Sequence, residues 1–141
     1  MDWEPYRNSL ALVDDDATYQ LLLTSAFRKE GLETVLKALP DGRLAQQYLL
    51  EAPSPRLVLL DLNLPGLSGF ELLRWIRTGS PNPRIPVLLH SHSVDREEVA
   101  RAYELGANAF IPKPTSLRDL RDLARELASF WVVRNVLPAR P

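Results

Sequence analysis

Short runs of apolar, strand-favouring residues alternate along this chain with longer stretches in which apolar residues recur every three or four positions. The first pattern is that of β-strands and the second that of amphipathic helices. Strands are expected at 9–13, 34–38, 57–60, 86–89 and 109–111, and three of them are nearly all apolar, as strands covered on both faces are. Helices are expected at 19–29, 43–50, 70–77 and 97–105. A final helix starts at Leu117, where Leu117, Leu120, Leu123, Leu127 and Phe130 form one stripe and Ser116 is placed to cap it. Two other starts have capping-box spacing, Ser68 with Glu71 and Asp95 with Glu98. Strands alternating with helices predict an α/β fold whose strands lie parallel, with the helices as crossovers on both faces.

Pro and Gly punctuate the links at Pro53-Ser54-Pro55, Pro65-Gly66, 79–83 and Pro112-Lys113-Pro114, where a helix or a central strand is hard to continue. A chain of 141 residues is the size of one domain. We expect a tail at 1–8, the domain at 9–130 and an apolar C-terminal tail at 131–141, too short for an effector domain of its own. That tail holds Trp131, Val132, Val133, Val136 and Leu137, more apolar surface than one helix end requires. It is expected to fold back or to cover a second copy of the chain, which makes a homodimer the preferred assembly.

Composition narrows the function. The 17 basic and 18 acidic residues give a net charge of -1, so nothing supplies the basic footprint of a nucleic-acid binder. With no Cys there is neither a disulfide framework nor a thiolate metal site, which fits a reducing compartment. No apolar run approaches the roughly 18 residues of a membrane span, and Met1 to Pro5 carries no signal-peptide pattern. A cytoplasmic location, with neither membrane nor nucleic acid as a partner, is the expectation.

The candidate chemistry sits where the expected strands end. Asp14, Asp15 and Asp16 follow the first, Asp61 the third, Ser91 the fourth and Lys113 the fifth. In an open parallel sheet ligands bind beyond the carboxyl ends of the strands, where the connection order reverses. An isolated Asp run at a strand end is a solvated turn capping the next helix, but Asp61 and Lys113 at the same edge change that reading. Clustered carboxylates need a raised pKa or a bound cation, and Mg²⁺ is the hard ion that combines one or two carboxylates with phosphate oxygens. A carboxylate can itself attack phosphorus, with a Lys offsetting the transferring charge, so Asp61 and Lys113 suit an aspartyl phosphate. The Ser91 hydroxyl could then donate to a phosphoryl oxygen. His90 and His92 have the spacing of one strand face and suggest a metal pair, although two ligands do not complete a site.

Taken in order, Leu-Ala-Leu-Val-Asp14-Asp15, Leu-Val-Leu-Leu-Asp61-Leu-Asn63-Leu-Pro65-Gly66-Leu-Ser-Gly69, Pro86-Val87-Leu-Leu-His-Ser91 and Gly106-Ala107-Asn-Ala-Phe110-Ile-Pro-Lys113-Pro114 resemble the two-component response regulator receiver domain over almost the whole chain. The resemblance implies a five-stranded flavodoxin-like sheet of order 2-1-3-4-5. It implies Asp61 as phospho-acceptor from a sensor histidine kinase, and metal ligation by Asp15, Asp61 and the Asn63 main-chain carbonyl, with Asp14 acting through water. It further implies Ser91 and Phe110 as a switch pair, and a Lys113-Pro114 bond of a kind often cis. Such a domain is no enzyme in its own right, beyond removing its own phosphoryl group. One departure is His92, which stands where the family has a small residue and bears on phosphoryl lifetime. The tail from Leu127 to Pro138 resembles single-domain receivers paired with bacterial phytochrome kinases, which implies such a kinase as partner.

Two rival readings remain at this stage. Asp14-Asp15-Asp16-Ala17-Thr18 also reads as the Asp-x-Asp-x-Thr motif of haloacid-dehalogenase-type phosphohydrolases, with Asp14 as nucleophile. That reading leaves Asp61 without a role and finds its later acidic pair, Asp119 and Asp122, inside the last helix. The other rival is a receiver-shaped docking module that is never phosphorylated.

Overall fold

Five strands, β1 (Arg7–Val13), β2 (Val35–Leu39), β3 (Pro55–Asp61), β4 (Val87–Ser91) and β5 (Ala109–Pro112), lie parallel in the order β2-β1-β3-β4-β5. The computed structural model describes residues 7–30, 35–51 and 53–138. Most of the expected N-terminal tail, the expected strand start at Thr34 and the last three residues therefore lie outside the described residues. The crossovers are α1 (Ala17–Lys29), α2 (Gly42–Glu51), α3 (Gly69–Gly79) and α4 (Arg96–Glu104), and α5 (Leu117–Glu126) follows the last strand.

Alternation along the central strands builds two cores. Leu10, Leu12, Leu57, Leu59 and Leu88 face α1 and α5, where Leu23, Phe27, Leu120 and Leu123 close over them. Ala11, Val13, Val58, Leu60, Val87 and Leu89 face the other way, onto Leu49 of α2, Leu72, Leu73 and Ile76 of α3 and Ala102 of α4. Each such Leu taken from water contributes about 1.5–3 kcal/mol, and a register slip of one residue would exchange the two faces.

Several boundaries moved. β3 and β4 run on through Asp61 and Ser91, so these two candidate side chains sit on rigid strand rather than in the loops beyond. Pro55 and Pro112 are strand residues rather than breaks, at the first position of one strand and the last of an edge strand, where a missing N–H costs little. Ser68 and Glu71 form the expected reciprocal capping box. Asp95 does not form one with Glu98: its carboxylate accepts from the Glu97 N–H at 3.0 Å, one residue earlier. The Lys113-Pro114 bond is trans, as is every peptide bond among the described residues, and the small trans preference before Pro accounts for either isomer.

The largest departure is at the C-terminus. The chain winds on without a break after α5, but as a π-helix over Leu127–Arg134, with the Asn135 N–H bonded to the Phe130 carbonyl at 2.7 Å. Five-residue spacing puts Val132 on the buried side with Leu127 and turns Phe130 outward, so the stripe expected to end on Phe130 ends on Val132. Leu117, at the other end of the stripe, is also exposed. The apolar tail is divided: Val132 is buried and Trp131 packs on the α1/α5 core, whereas Phe130, Val133 and Val136 face solvent. Arg56 Nη2 fastens this segment to the start of β3 by donating to the Asn135 carbonyl at 2.6 Å.

Arg77, on α3, ties the loops before β4 and β5 together. Its guanidinium donates to the carbonyls of Gly106 (2.9 Å), Pro83 (3.0 Å) and Ile85 (2.7 Å) and to Asn108 Oδ1 (2.8 Å), while Asn108 Oδ1 also accepts from the Val87 N–H. Arg77→Ala is expected to lower unfolding free energy by about 2–4 kcal/mol, because several part-buried carbonyls lose a charged donor at once. Arg77→Lys should recover little of this, since one ammonium cannot span the fork. Urea denaturation of the three proteins measures both effects.

Candidate functional site

At the carboxyl edge of the sheet three acids meet. Oxygens of Asp14, Asp15 and Asp61 lie within 4.8 Å of one another, with Asp14 and Asp61 buried and Asp15 exposed. Two arrive on neighbouring strands, since β1 pairs with β3. The acidic run is thus a divided feature. Asp14 points inward, with Oδ1 accepting from the Asp16 N–H at 2.9 Å and its carbonyl taking a short bond from the Gln20 side chain. Asp16 caps α1, accepting from the Tyr19 N–H at 3.0 Å, which is the bland role of a strand-end Asp.

The Asp61 loop is held from behind. Asp61 Oδ1 accepts from the Asn63 N–H at 3.2 Å, and the Gly69 N–H bonds the Leu62 carbonyl at 3.1 Å. A Cβ on Gly69 would run into the Asp61 carbonyl and come within 2.8 Å of Leu62 Cα, so only glycine lets α3 begin this close to the Asp61 loop. Gly66 turns the same loop at a φ of 71°, in the left-handed region.

Lys113 reaches into the cluster from the end of β5. Its ammonium, almost wholly buried, is 2.7 Å from Asp14 Oδ2 and 3.4 Å from Asp61 Oδ2. Asp14 Oδ2 has no well-aligned hydrogen bond and is held by this charge alone among the described residues. Three carboxylates against one ammonium leave two negative charges uncompensated at a mouth that Asp15 opens to solvent. A hard divalent cation with oxygen ligands fits that donor set and that charge, so the site is built for divalent metal.

Ser91 ends β4 beside this cluster, one residue beyond His90, which pairs with Asp61 across the strands. Its hydroxyl is buried and accepts from the Ser93 N–H at 3.3 Å. Phe110, half-buried on β5, packs on the core against α3 and α4. Asn63 is exposed next to Asp61. All the residues singled out for phosphoryl chemistry are thus gathered at one edge of the sheet, with Phe110 behind it.

The two histidines are not a metal pair. His92 is exposed, whereas His90 is fully buried and committed to two partners on other elements. His90 Nδ1 lies 2.8 Å from the Ile111 carbonyl, which can only accept, so Nδ1 carries the proton. The neutral ring presents Nε2 as acceptor to the Tyr19 hydroxyl at 2.5 Å, with Tyr19 as donor. Burial, together with the charges of Asp14 and Asp61, raises the Tyr19 pKa well above the usual phenol value, so the hydroxyl keeps its proton. Sequence reasoning missed the Tyr19 role; the available signal was a lone His inside the otherwise apolar run Val87-Leu88-Leu89.

Burial pulls the His90 pKa from 6.5 down to about 4, with the Ile111 hydrogen bond opposing the shift. Below about pH 6.5 the unfolded chain therefore takes up a proton that the folded chain refuses until about pH 4. This contribution to stability is fully present above that window and is lost as pH falls through it, by about 3 kcal/mol at the acid end. Urea unfolding at pH 7 and pH 4.5 should show the loss in the native protein and a smaller one in His90→Gln, which keeps an acceptor for Tyr19 without a titrating ring.

The sequence matches the response regulator receiver domain family over residues 10–125. The response regulator Rcp1 of Synechocystis sp. is 32% identical over 136 residues, which span 92% of each chain. The crystal structure of Mn²⁺-bound Rcp1 superposes with a TM-score of 0.80 at 33% identity, covering 93% of this chain and 99% of that one. That of the phosphorylated cyanobacterial phytochrome response regulator RcpA superposes at 0.84 with 30% identity, covering 92% and 97%.

Proposed function

Since this chain belongs to the response regulator receiver family, whose members take a phosphoryl group from sensor histidine kinases, we propose that Asp61 is its acceptor and that Asp14, Asp15, Ser91 and Lys113 complete the transfer site. One observation carries this reading: the carboxylates of Asp14 and Asp15, just past the end of β1, and of Asp61, at the end of β3, converge within 4.8 Å, and a buried ammonium contacts Asp14 and Asp61. A carboxylate oxygen of Asp61 attacks phosphorus, the O–P bond forms as the bond from phosphorus to the donor's imidazole nitrogen breaks, and the leaving imidazole takes up a proton. Lys113, already 3.4 Å from Asp61 Oδ2, stands where it would offset charge on the transferring group. Ser91 Oγ accepts from the Ser93 N–H, which leaves its hydroxyl able to donate to a phosphoryl oxygen.

Asp15, Asp61 and the Asn63 main-chain carbonyl would hold Mg²⁺ here, and Asp14 would act on it through water. When bound it supplies positive charge to the phosphoryl oxygens. Mn²⁺ in the Rcp1 crystals supports a divalent ion of this kind. The donor is a sensor histidine kinase, and the likeness to RcpA supports one of the phytochrome type. The chain works in the cytoplasm; among the described residues no helix is long and apolar enough to cross a membrane.

Phosphorylation shifts Ser91 toward the modified Asp61 and repacks Phe110, altering the face of β5 and the helices beside it. The domain spans 9–130 with the apolar 131–141 segment as its accessory, and output passes through protein contacts. Phe130, Val133 and Val136, exposed at 52%, 76% and 89%, provide the apolar surface for a homodimer. The hydrolase reading loses ground to the burial of Asp14, whose oxygens face Lys113 and the Asp16 N–H rather than solvent.

Incubation with Mg²⁺ and a small phosphodonor, followed by intact-mass and peptide analysis, is expected to place one acid-labile phosphoryl group on Asp61, absent in Asp61→Asn. Steady turnover that depends on Asp14 would instead favour the hydrolase, and no modification would favour a docking module. Light scattering should give a dimer for the native chain and a monomer for Val133→Glu with Val136→Glu; a monomer in both cases would remove the dimer.

A further inference from the structure

Beneath Lys113 lies a pair of side chains that phosphoryl transfer as described does not use. The Lys113 ammonium sits 4.7 Å from the centroid of the Tyr19 ring, so its underside rests on an aromatic face while Asp14 and Asp61 hold its other side. Both residues are almost fully buried. An ammonium is strongly hydrated and its four-carbon stem is flexible, so it keeps one position only where water is excluded and every side is occupied. Ring, carboxylate and carboxylate together occupy them here.

The ring is itself immobilised. Its hydroxyl donates to His90 Nε2 on β4, and His90 Nδ1 donates to the carbonyl of Ile111 on β5, two residues before Lys113. The chain of contacts therefore starts at the Lys113 side chain, crosses α1 and β4, and returns to the backbone of the strand that carries Lys113. The contact with Asp61, at 3.4 Å, is looser than that with Asp14, at 2.7 Å. A π face imposes no single direction, unlike a hydrogen-bond acceptor, so the ammonium can pivot from Asp14 toward a group on Asp61 without leaving its aromatic floor.

We infer that Tyr19, locked by His90, is a positioning residue for Lys113 that keeps the ammonium within reach of the acceptor carboxylate and closes its buried side to water. This rests on the reading of Asp61 as acceptor. The structural alternative is that Tyr19 and His90 merely fill the core, in which case their replacement alters stability but not the reactivity of Lys113.

The test uses the full chain and the variants Tyr19→Met, Tyr19→Phe and His90→Leu, each first checked for cooperative unfolding. The rate of Asp61 phosphorylation by a small phosphodonor at saturating Mg²⁺ should fall about tenfold in Tyr19→Met, where the floor is lost. It should fall by only about threefold in Tyr19→Phe, which keeps the ring and loses the lock. Mg²⁺ affinity by calorimetry should stay within about twofold of native, since no ligand is touched. In parallel, acylation of Lys113 by an amine reagent, normalised to Lys29 and Lys37 in the same chain, should rise in Tyr19→Met and His90→Leu. Native rates and native Lys113 labelling in both of these variants would overturn the inference. Labelling needs no phosphoryl transfer, so if the native protein takes no phosphate the receiver reading fails while Lys113 exposure still decides the role of Tyr19. If Tyr19→Met does not fold, Tyr19→Phe and His90→Leu decide it by the same two readouts.

Discussion

A single buried ammonium between two carboxylates organises this molecule. Lys113 could not be stripped of water beside Asp14 and Asp61 without their charges, and Asp14 could not be buried without Lys113. Removing one member of such a group leaves an uncompensated charge in low dielectric and costs several kcal/mol, about 3–5 in comparable cases. The sheet order follows from the same requirement in a functional sense. With β3 between β1 and β4, and β5 beyond β4, the ends of β1 and β3 and the reach of Lys113 from β5 meet over one crevice. The excess of negative charge that remains keeps the site receptive to a cation.

Much of this was legible in the chain. Near-continuous apolar runs in the central strands and three-to-four spacing in the helices are direct images of a parallel sheet covered on both faces, whereas the strand order was implied by the resemblance to the receiver family. Strand ends were harder to place, because Asp61 and Ser91 look like turn residues and yet continue the ladder. The π-helix at Leu127–Arg134 was not legible: its apolar residues fit an α-helical stripe through Phe130, whereas the wider winding buries Val132 and leaves Phe130 exposed. The tether from Arg56 to Asn135 spans too much sequence for any local pattern to reveal it.

His90 shows how spacing can point to the wrong partner. Residues two apart on a strand share a face, so the spacing suggested His92 as a companion, although two ligands complete no site; β4 ends at Ser91 and the sharing of faces ends with it. The true partners, Tyr19 and Ile111, come from α1 and β5, 71 and 21 residues away. A buried imidazole that must satisfy both nitrogens fixes two other groups at once, which gives one residue in an apolar strand influence over the lysine beside it.

The tether also fixes where the exposed apolar end can sit. Arg56 is five residues from Asp61 along β3, or about 17 Å at the usual rise per strand residue. The end of the π-helix is therefore anchored at the amino edge of the sheet, opposite the acidic crevice. A second copy seated on Val136, as proposed for the homodimer, would not compete with a phosphodonor for room, so loading and output could proceed on the same molecule at the same time. On that proposal, news of a phosphoryl group on Asp61 would have to cross the domain through strand and helix, and the rigidity of the two cores would belong to the signalling apparatus.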